Sequence, residues 1–147
     1  AVHGRGRGDV YAVGLGGTIL HYDGVRWRDL PSGVATAFKG VYSRNEGETV
    51  VVGDQGLILH SASDLEGGTR WDPPARPVTE FSLYDVTGDL DGNVVAVGNN
   101  GVVARFDGLA WETVSTGFYD PLFAIDFGPC GGLYAAGRWG LILEYSH

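Results

Sequence analysis

Acidic and histidine side chains are the residues of this chain that could carry acid–base or metal chemistry. The 18 carboxylates are enough for hydrolysis by a pair of acids, but no pair stands out by its spacing. His21 and His60 occupy equivalent places in a repeated segment, where the other copies have Arg105 and Glu144. One polar position in a repeated strand is typical of a solvated face rather than of a metal site. With no HExxH, GxSxG or Walker motif in the chain, the sequence predicts no catalytic residue, no metal and no cofactor.

Three further motifs suggest chemistry but are better explained as turns. The segment DLDGN (89–93) resembles the start of a calcium loop, yet the remaining ligands of such a loop are missing. The RGD triplet (7–9) and Cys130 fall in equivalent turns before a second strand, and Cys130 has no charged neighbour that would activate its thiol. We therefore interpret all three motifs as structural.

The strongest candidate for a binding site is the segment GRWG (137–140), which carries Arg138 and Trp139. Its counterparts in the other copies read GLGG, GDQG and GNNG, and we interpret all four as two-residue hairpin loops bounded by glycines. Because the other three turns form without a tryptophan, the turn itself does not require Trp139. The indole either contacts a partner or packs over a neighbouring unit of the fold.

Long linkers between the repeated units add aromatic side chains to the same end of the molecule as this turn. Aromatic residues with an arginine are typical anchors of protein interfaces and can also stack on sugars. The residues concerned are Phe38, Arg76, Phe81, Tyr84, Phe118 and Tyr119. The sequence predicts that these residues form a binding face together with Arg138 and Trp139.

The chain consists of four copies of one segment, which align without gaps over about twenty residues. Each copy opens on an apolar residue, at spacings of 39, 45 and 39 residues: Val2, Val41, Val86 and Ile125. A tryptophan closes each of the first three copies: Trp27, Trp71 and Trp111. Each copy has the pattern of short apolar strands separated by glycine turns, and no window has a helical period.

Four-stranded units of about 40 residues predict an all-β fold, a β-propeller in which each copy is one blade. The blades span approximately residues 1–33, 34–77, 78–117 and 118–147, and a β-sandwich is the alternative architecture. The tryptophans should lie on outermost strands and be largely buried between blades. Asp23 and Asp107, in the turns before Trp27 and Trp111, should accept backbone N–H bonds.

The segments YDGVRW (22–27), FDGLAW (106–111) and SASDLEGGTRW (61–71) resemble the turns of Asp-box (BNR-type) propellers, most closely the photosystem II assembly factor (Ycf48-type) group. Ala62 and Ser146 depart from the pattern, since they stand where the motif has aspartate. The resemblance implies a structural role for the boxes and, because similar propellers are mostly exported, a location outside the cytoplasm. Sialidases share such blades, but the inner-strand segments here lack the arginines that a sialidase site requires.

The composition narrows the possible partners. A net charge of −8 argues against nucleic acid or an anionic membrane surface as the partner, and no apolar run approaches the length of a membrane span. The single cysteine excludes an internal disulfide, and the absence of methionine at position 1 fits a trimmed N-terminus or a fragment.

The fourth copy stops before the position of its outermost strand, which leaves a sheet edge open to pairing. Three arrangements fit: a four-bladed ring with one thin blade, half of a ring built by two chains, or part of a longer propeller. We expect a non-catalytic module that binds a protein partner or associates with itself. A glycan-binding propeller is the alternative, although the turn residues do not repeat as a lectin site would, and an Asp-box glycoside hydrolase is a third reading.

Overall fold

The computed structural model of the protein describes residues 1–45, 48–63, 68–89, 91–129 and 131–145. These residues form four antiparallel sheets, and no α-helix occurs among them. Blades 1 and 2 comprise β1 (Val2–Gly6), β2 (Asp9–Val13), β3 (Ile19–Tyr22), β4 (Trp27–Asp29), β5 (Phe38–Asn45), β6 (Glu48–Gly53), β7 (Ile58–Ser63) and β8 (Thr69–Asp72). Blades 3 and 4 comprise β9 (Leu83–Gly88), β10 (Val94–Gly98), β11 (Val103–Phe106), β12 (Trp111–Val114), β13 (Leu122–Phe127), β14 (Leu133–Gly137) and β15 (Ile142–Tyr145).

Each sheet is a meander in which successive strands of the chain are neighbours, and the fourth sheet ends at β15 in the described part of the chain. The inner strands β1, β5, β9 and β13 lie side by side in this order. Hydrogen bonds join them, since Ser43 N–H donates to Nδ1 of His3 at 3.2 Å and Ile125 N–H donates to Oδ2 of Asp85 at 2.9 Å. The prediction of an all-β propeller with four blades is confirmed.

The core lies between blades, because side chains alternate between the two faces of every strand. On β6, Val51 packs into a cluster shared with blade 1, whereas Val50 and Val52 pack into a cluster shared with blade 3. A third cluster joins Val95 and Val97 of blade 3 to blade 4. The apolar strands are thus buried on both faces, which explains why they read as continuous runs such as TVVVG (49–53).

The closing tryptophans face the preceding blade, and this decides how deeply each is buried. Trp71 is 8% exposed in the cluster with blade 1, and Trp111 packs against the cluster that blade 3 shares with blade 2. Trp27, in contrast, is 49% exposed, so the prediction that all three are largely buried is wrong for Trp27. Its face of blade 1 contributes to none of the hydrophobic clusters formed by the described residues.

In the turns that begin at Asp23 and Asp107, the aspartate carboxylate accepts hydrogen bonds from the backbone of the same turn. Oδ1 of Asp23 accepts the N–H groups of Val25 and Arg26 at 3.0 and 2.9 Å, and Oδ1 of Asp107 accepts those of Leu109 and Ala110. These backbone hydrogen bonds, and for Asp23 also the Arg28 guanidinium, hold the pKa of both carboxyls below their usual range.

The glycine-bounded hairpin turns are shifted by one residue from the predicted loop. In blade 1 the tight turn is closed by a hydrogen bond from Thr18 N–H to the Leu15 carbonyl, and its central residues are Gly16 and Gly17, both at positive φ. The first glycine of the motif, Gly14, is extended at φ −165°. The central pairs of the other turns are Gln55-Gly56, Asn100-Gly101 and Trp139-Gly140. No helix in the described part of the chain is long and apolar enough to span a membrane.

Candidate binding surface on the loop face

The start of each inner strand and the hairpin turn of the same blade lie at one edge of the sheet. The pairs Phe38–Gly53, Leu83–Gly98 and Leu122–Gly137 are directly opposite each other in blades 2, 3 and 4. The linkers between blades enter at this edge, and we call the surface formed by these turns and linkers the loop face. Every aromatic residue of the predicted binding face belongs to a segment that reaches this edge.

Trp139 is the most exposed large hydrophobic side chain on this face among the described residues, with 88% of its surface accessible. None of the four blades formed by the described residues packs over its indole. The Arg138 guanidinium lies 5.8 Å from the centroid of the indole ring, and Arg138 N–H donates to the Pro121 carbonyl at 3.0 Å. The turn thus presents a flat aromatic surface beside a positive charge.

The backbone of Trp139 is in the left-handed region, at φ 60° and ψ 25°. Only three non-glycine residues of the described chain have positive φ, and the other two are Gln55 and Asn100 in equivalent turns. Left-handed backbone costs an L-residue about 1–2 kcal/mol, and asparagine or glycine relieves most of this cost. Trp139 is therefore placed where the fold itself favours a different residue.

A second group of side chains extends across three blades on the same face. The Tyr84 and Phe123 rings are stacked with centroids 5.7 Å apart, and Nζ of Lys39 lies 5.9 Å from the Tyr84 centroid. Lys39 also pairs with Asp54, at 3.3 Å between Nζ and Oδ1. Tyr84 was predicted from the sequence as a binding residue, whereas Lys39 and Phe123 were not. Aligning the position two residues before Val41, Val86 and Ile125 would have found them.

The remaining predicted residues divide into exposed and buried ones. Tyr119 is 78% exposed, and Phe118, Phe81 and Arg76 are exposed as well, although none of them enters the ring contacts described above. Phe38 is only 4% exposed and belongs to the core between blades 1 and 2, so it cannot be part of a binding face.

The acids of the inner strands are used to hold the backbone. Asp85 accepts Ile125 N–H across the blade interface, and Asp126 accepts Phe127 N–H at 2.8 Å and the Thr87 hydroxyl at 3.4 Å. Among the residues that the structure describes, no group of three or more histidine, cysteine or acidic side chains could hold a metal ion. These contacts give both carboxylates structural partners.

The motifs interpreted as turns also engage their own neighbours. The Asp89 carboxylate accepts the N–H groups of Asp91 and Asn93, both at 2.9 Å. Asp9 of the RGD triplet pairs with His21, at 2.7 Å between Oδ1 and Nε2, and with Arg5. Cys130 and Leu90 lie outside the described residues.

Comparison with known proteins adds the class of fold and a distant relative. No family model matches the chain. Among solved structures it is similar to YCF48 from Cyanidioschyzon merolae, with a TM-score of 0.79 and 16% identity over 99% of this chain and 49% of that one. It is also similar to YCF48 bound to D1 peptide, with a TM-score of 0.67 and 20% identity over 97% of this chain and 48% of that one.

One curated relative is the Immune protein Tsi7 of Pseudomonas aeruginosa strain PAO1, which is 25% identical over 132 residues. The match includes 87% of this chain and 36% of the relative. The chain therefore spans about a third of the curated relative and about half of the two solved structures.

Proposed function

We propose that this chain is a non-catalytic propeller module that binds a protein partner through its loop face. The observation that carries the proposal is Trp139, an 88% exposed indole on a left-handed backbone that the turn does not need. Exposed aromatic and arginine side chains are the residues that most often dominate binding energy at protein interfaces. The stacked Tyr84 and Phe123 add a second aromatic surface on the same face.

The comparisons support a binding role over catalysis. One structural neighbour is a propeller with a peptide bound, and the curated relative carries the name of an immune protein. The acids of the inner strands, Asp85 and Asp126, hold backbone groups in this chain, which also favours a module without a reaction of its own. The proposal includes a location outside the cytoplasm, and finding the native protein in the cytoplasmic fraction would contradict that part.

The experiment compares the chain with its Trp139→Asn and Gln55→Asn variants as affinity baits in an extract of the source organism. A captured protein is then purified and titrated directly. Truncating an anchor of this kind weakens binding by about 30-fold or more, so Trp139→Asn should lose the partner. Gln55→Asn alters the equivalent turn of blade 2 and should retain it.

Three results would overturn the proposal. The first is a purified partner that binds Trp139→Asn as tightly as the unaltered chain. The second is binding to a glycan array that Trp139→Asn abolishes, which would assign the loop face to sugars. The third is hydrolysis of fluorogenic sialosides or other glycosides by the purified chain.

A further inference from the structure

Blades 1 and 2 carry the same three kinds of polar side chain at equivalent positions. Each blade has an arginine on its first strand, a carboxylate at the start of its second strand and a histidine on its third strand. The two sets are Arg5, Asp9 and His21 in blade 1 and Arg44, Glu48 and His60 in blade 2. The strand pairing agrees with this equivalence, since His21 lies directly opposite Tyr11 and His60 lies directly opposite Val50.

In blade 1 the histidine is bound to the carboxylate. Nε2 of His21 lies 2.7 Å from Oδ1 of Asp9, while the other oxygen, Oδ2, pairs with Arg5. Because an ionised carboxylate can only accept, Nε2 of His21 carries a proton and donates it. The imidazole is stacked on Tyr11 of its own blade, with ring centroids 4.4 Å apart. The indole N–H of Trp71, which comes from the following blade, is buried and has no partner among the described residues.

In blade 2 the equivalent histidine is bound to an indole instead. Nε2 of His60 accepts the N–H of Trp111 at 2.6 Å, and its ring also contacts Phe106, with centroids 4.9 Å apart. The carboxylate of Glu48 is bound by Arg44, whose Nε donates to Oε2 at 2.9 Å. His60 and Glu48 line the same space of about 10 Å³ between blades 2 and 3, which gives the imidazole room to turn toward the carboxylate.

We propose that His60 is an acid-operated switch between blades 2 and 3, and that its imidazole leaves Trp111 and binds Glu48 when it takes up a proton. A protonated imidazole has two N–H donors and no acceptor, so it cannot accept the indole N–H. With a carboxylate, in contrast, it forms a charge-assisted hydrogen bond. The pair of His21 with Asp9 in blade 1 shows the arrangement to which blade 2 changes. This switch goes beyond the loop-face function and does not depend on it.

Two carboxylates face the imidazole of His60 from the neighbouring strands of its own blade. Glu48 lies on β6 and lines the same space, and Asp72 lies directly opposite His60 in the pairing of β8 with β7. Blade 3 faces the imidazole with the rings of Phe106 and Trp111. Burial lowers the pKa of His60, and the negative charge of Glu48 opposes this effect.

The precedent of blade 1 favours Glu48 over Asp72 as the acceptor. Asp9 occupies the position of Glu48 and binds an arginine and a histidine together, one on each carboxylate oxygen. Asp72 pairs with Arg70 of its own strand, at 2.8 Å between Oδ2 and Nε. A carboxylate at the start of the second strand is therefore the group that can hold the protonated ring without giving up its arginine.

The switch changes how blade 2 is joined to blade 3 without separating the two blades. Trp111 packs against the hydrophobic cluster between them, and this packing does not need the hydrogen bond. After the exchange its N–H has lost the imidazole, as the N–H of Trp71 already lacks one in the interface between blades 1 and 2. We therefore expect an acid form that remains folded and in which the contact between blades 2 and 3 is looser.

The test is NMR spectroscopy of the chain labelled with ¹⁵N, because the ring nitrogens of histidine report the tautomer and the indole signals report hydrogen bonding. At about pH 8 we expect Nε2 of His60 to be unprotonated and the indole proton of Trp111 to resonate downfield. Acidification should protonate Nε2 and move the Trp111 signal upfield with the same midpoint, below pH 6.5. The indole signal of Trp71 should shift much less and serves as the internal reference.

Three variants identify the groups involved. Glu48→Gln removes the charge of the acceptor and should lower the midpoint by about 1 pH unit. Asp72→Asn is the matched control, since it removes the carboxylate on the other neighbouring strand, and it should leave the midpoint nearly unchanged. Asp9→Ala produces the reverse exchange in blade 1. Without its carboxylate, His21 should accept the N–H of Trp71, and the Trp71 indole proton should move downfield.

Four results would overturn the proposal. The first is a Trp111 indole signal that does not follow the protonation of His60. The second is a midpoint that Asp72→Asn lowers as much as Glu48→Gln does. The third is a Trp71 signal that Asp9→Ala leaves in place. The fourth is cooperative unfolding of the chain as His60 is protonated, since the exchange must take place in the folded state. None of these measurements involves a partner, so their failure leaves the loop-face function untouched.

Discussion

The indole N–H of Trp111 donates a hydrogen bond of 2.6 Å to Nε2 of His60, across the interface between blades 2 and 3. Because an indole can only donate, Nε2 of His60 must be unprotonated, and its ring proton resides on Nδ1. The two rings also contact each other edge-on, with centroids 5.7 Å apart. The neutral imidazole is therefore part of the packing between these blades.

Acidification should weaken the fold through this histidine. Burial lowers the pKa of His60 below its ordinary value of 6.5, so the unfolded chain binds a proton at a higher pH than the folded chain does. The free energy of unfolding should accordingly be fully retained above about pH 7 and fall as the pH drops below 6.5. Chemical denaturation at a series of pH values measures this change.

The matched control for the pH dependence is His60→Gln, which removes the titrating group and keeps a polar side chain. It should flatten the pH dependence in part, because burial also lowers the pKa of His3 and His21. If the variant and the unaltered chain lose stability in parallel between pH 7 and pH 5, His60 is not one of the groups responsible.

Phenylalanine should be tolerated far better at Trp71 than at Trp111. The buried Nε1 of Trp71 has no hydrogen-bond partner. His21 occupies in blade 1 the position that His60 occupies in blade 2, but its Nε2 is engaged by Asp9. Both changes lose the packing of the larger ring. Trp71→Phe also removes an unsatisfied donor, whereas Trp111→Phe breaks the bond to His60 and should cost about 1–3 kcal/mol more than Trp71→Phe. Equal losses in urea titrations of the two variants would contradict this assignment.

Alanine at the exposed Trp27 provides the companion measurement. Large-to-alanine changes cost about 3–5 kcal/mol when the side chain is fully buried, as Trp71 nearly is. Trp27→Ala should cost well under half of the loss caused by Trp71→Ala, because water already reaches the indole. A loss at Trp27 as large as that at Trp71 would mean that its face is covered in solution.

The last glycine of the hairpin turn should be essential in blade 2 and replaceable in blade 4. A Cβ at Gly56 would lie 1.9 Å from the Thr79 carbonyl oxygen, whereas a Cβ at Gly140 would meet no atom of the described residues within 4 Å. Both residues have positive φ. Gly140→Ala should therefore cost about 1–2 kcal/mol for the backbone alone. Gly56→Ala should cost about 3 kcal/mol or more, since the collision adds to the strain. Thermal melts of the two variants test the difference.

The repeat was readable from the sequence because each blade is a local meander whose turns are marked by glycine. The two glycines of the blade 2 hairpin turn look alike in sequence yet have different structural roles. Gly53 is extended, and its Cβ would lie 2.1 Å from the Ala37 carbonyl, whereas Gly56 also needs a left-handed backbone. The sequence alone does not distinguish a glycine needed for a close backbone contact from one needed for a left-handed backbone. For this reason the predicted loop was displaced by one residue.

Contacts between blades were not predictable, because they join residues that lie far apart in the sequence, 51 positions for Trp111 and His60. The stacking of Tyr84 with Phe123 and the bond from Trp111 to His60 both cross a blade interface. The exposure of Trp27 has the same origin, since burial depends on whether a blade packs against that face. The exposed indole of Trp139 was anticipated as one of two alternatives, because the other three turns show that the fold does not require it.

Trp139→Asn should stabilise the fold. The residue has φ 60° and an indole that is 88% exposed, so asparagine loses little burial and relieves the left-handed strain. The equivalent turn of blade 3 already has Asn100-Gly101, a pair well suited to two successive residues of positive φ. We expect a gain of about 1 kcal/mol in the free energy of unfolding, measured by urea denaturation.

Gln55→Asn, which relieves the same backbone strain in blade 2, calibrates this gain. A fall in stability at Trp139→Asn would show that the indole packs within the fold, and its assignment to binding would then have to be abandoned.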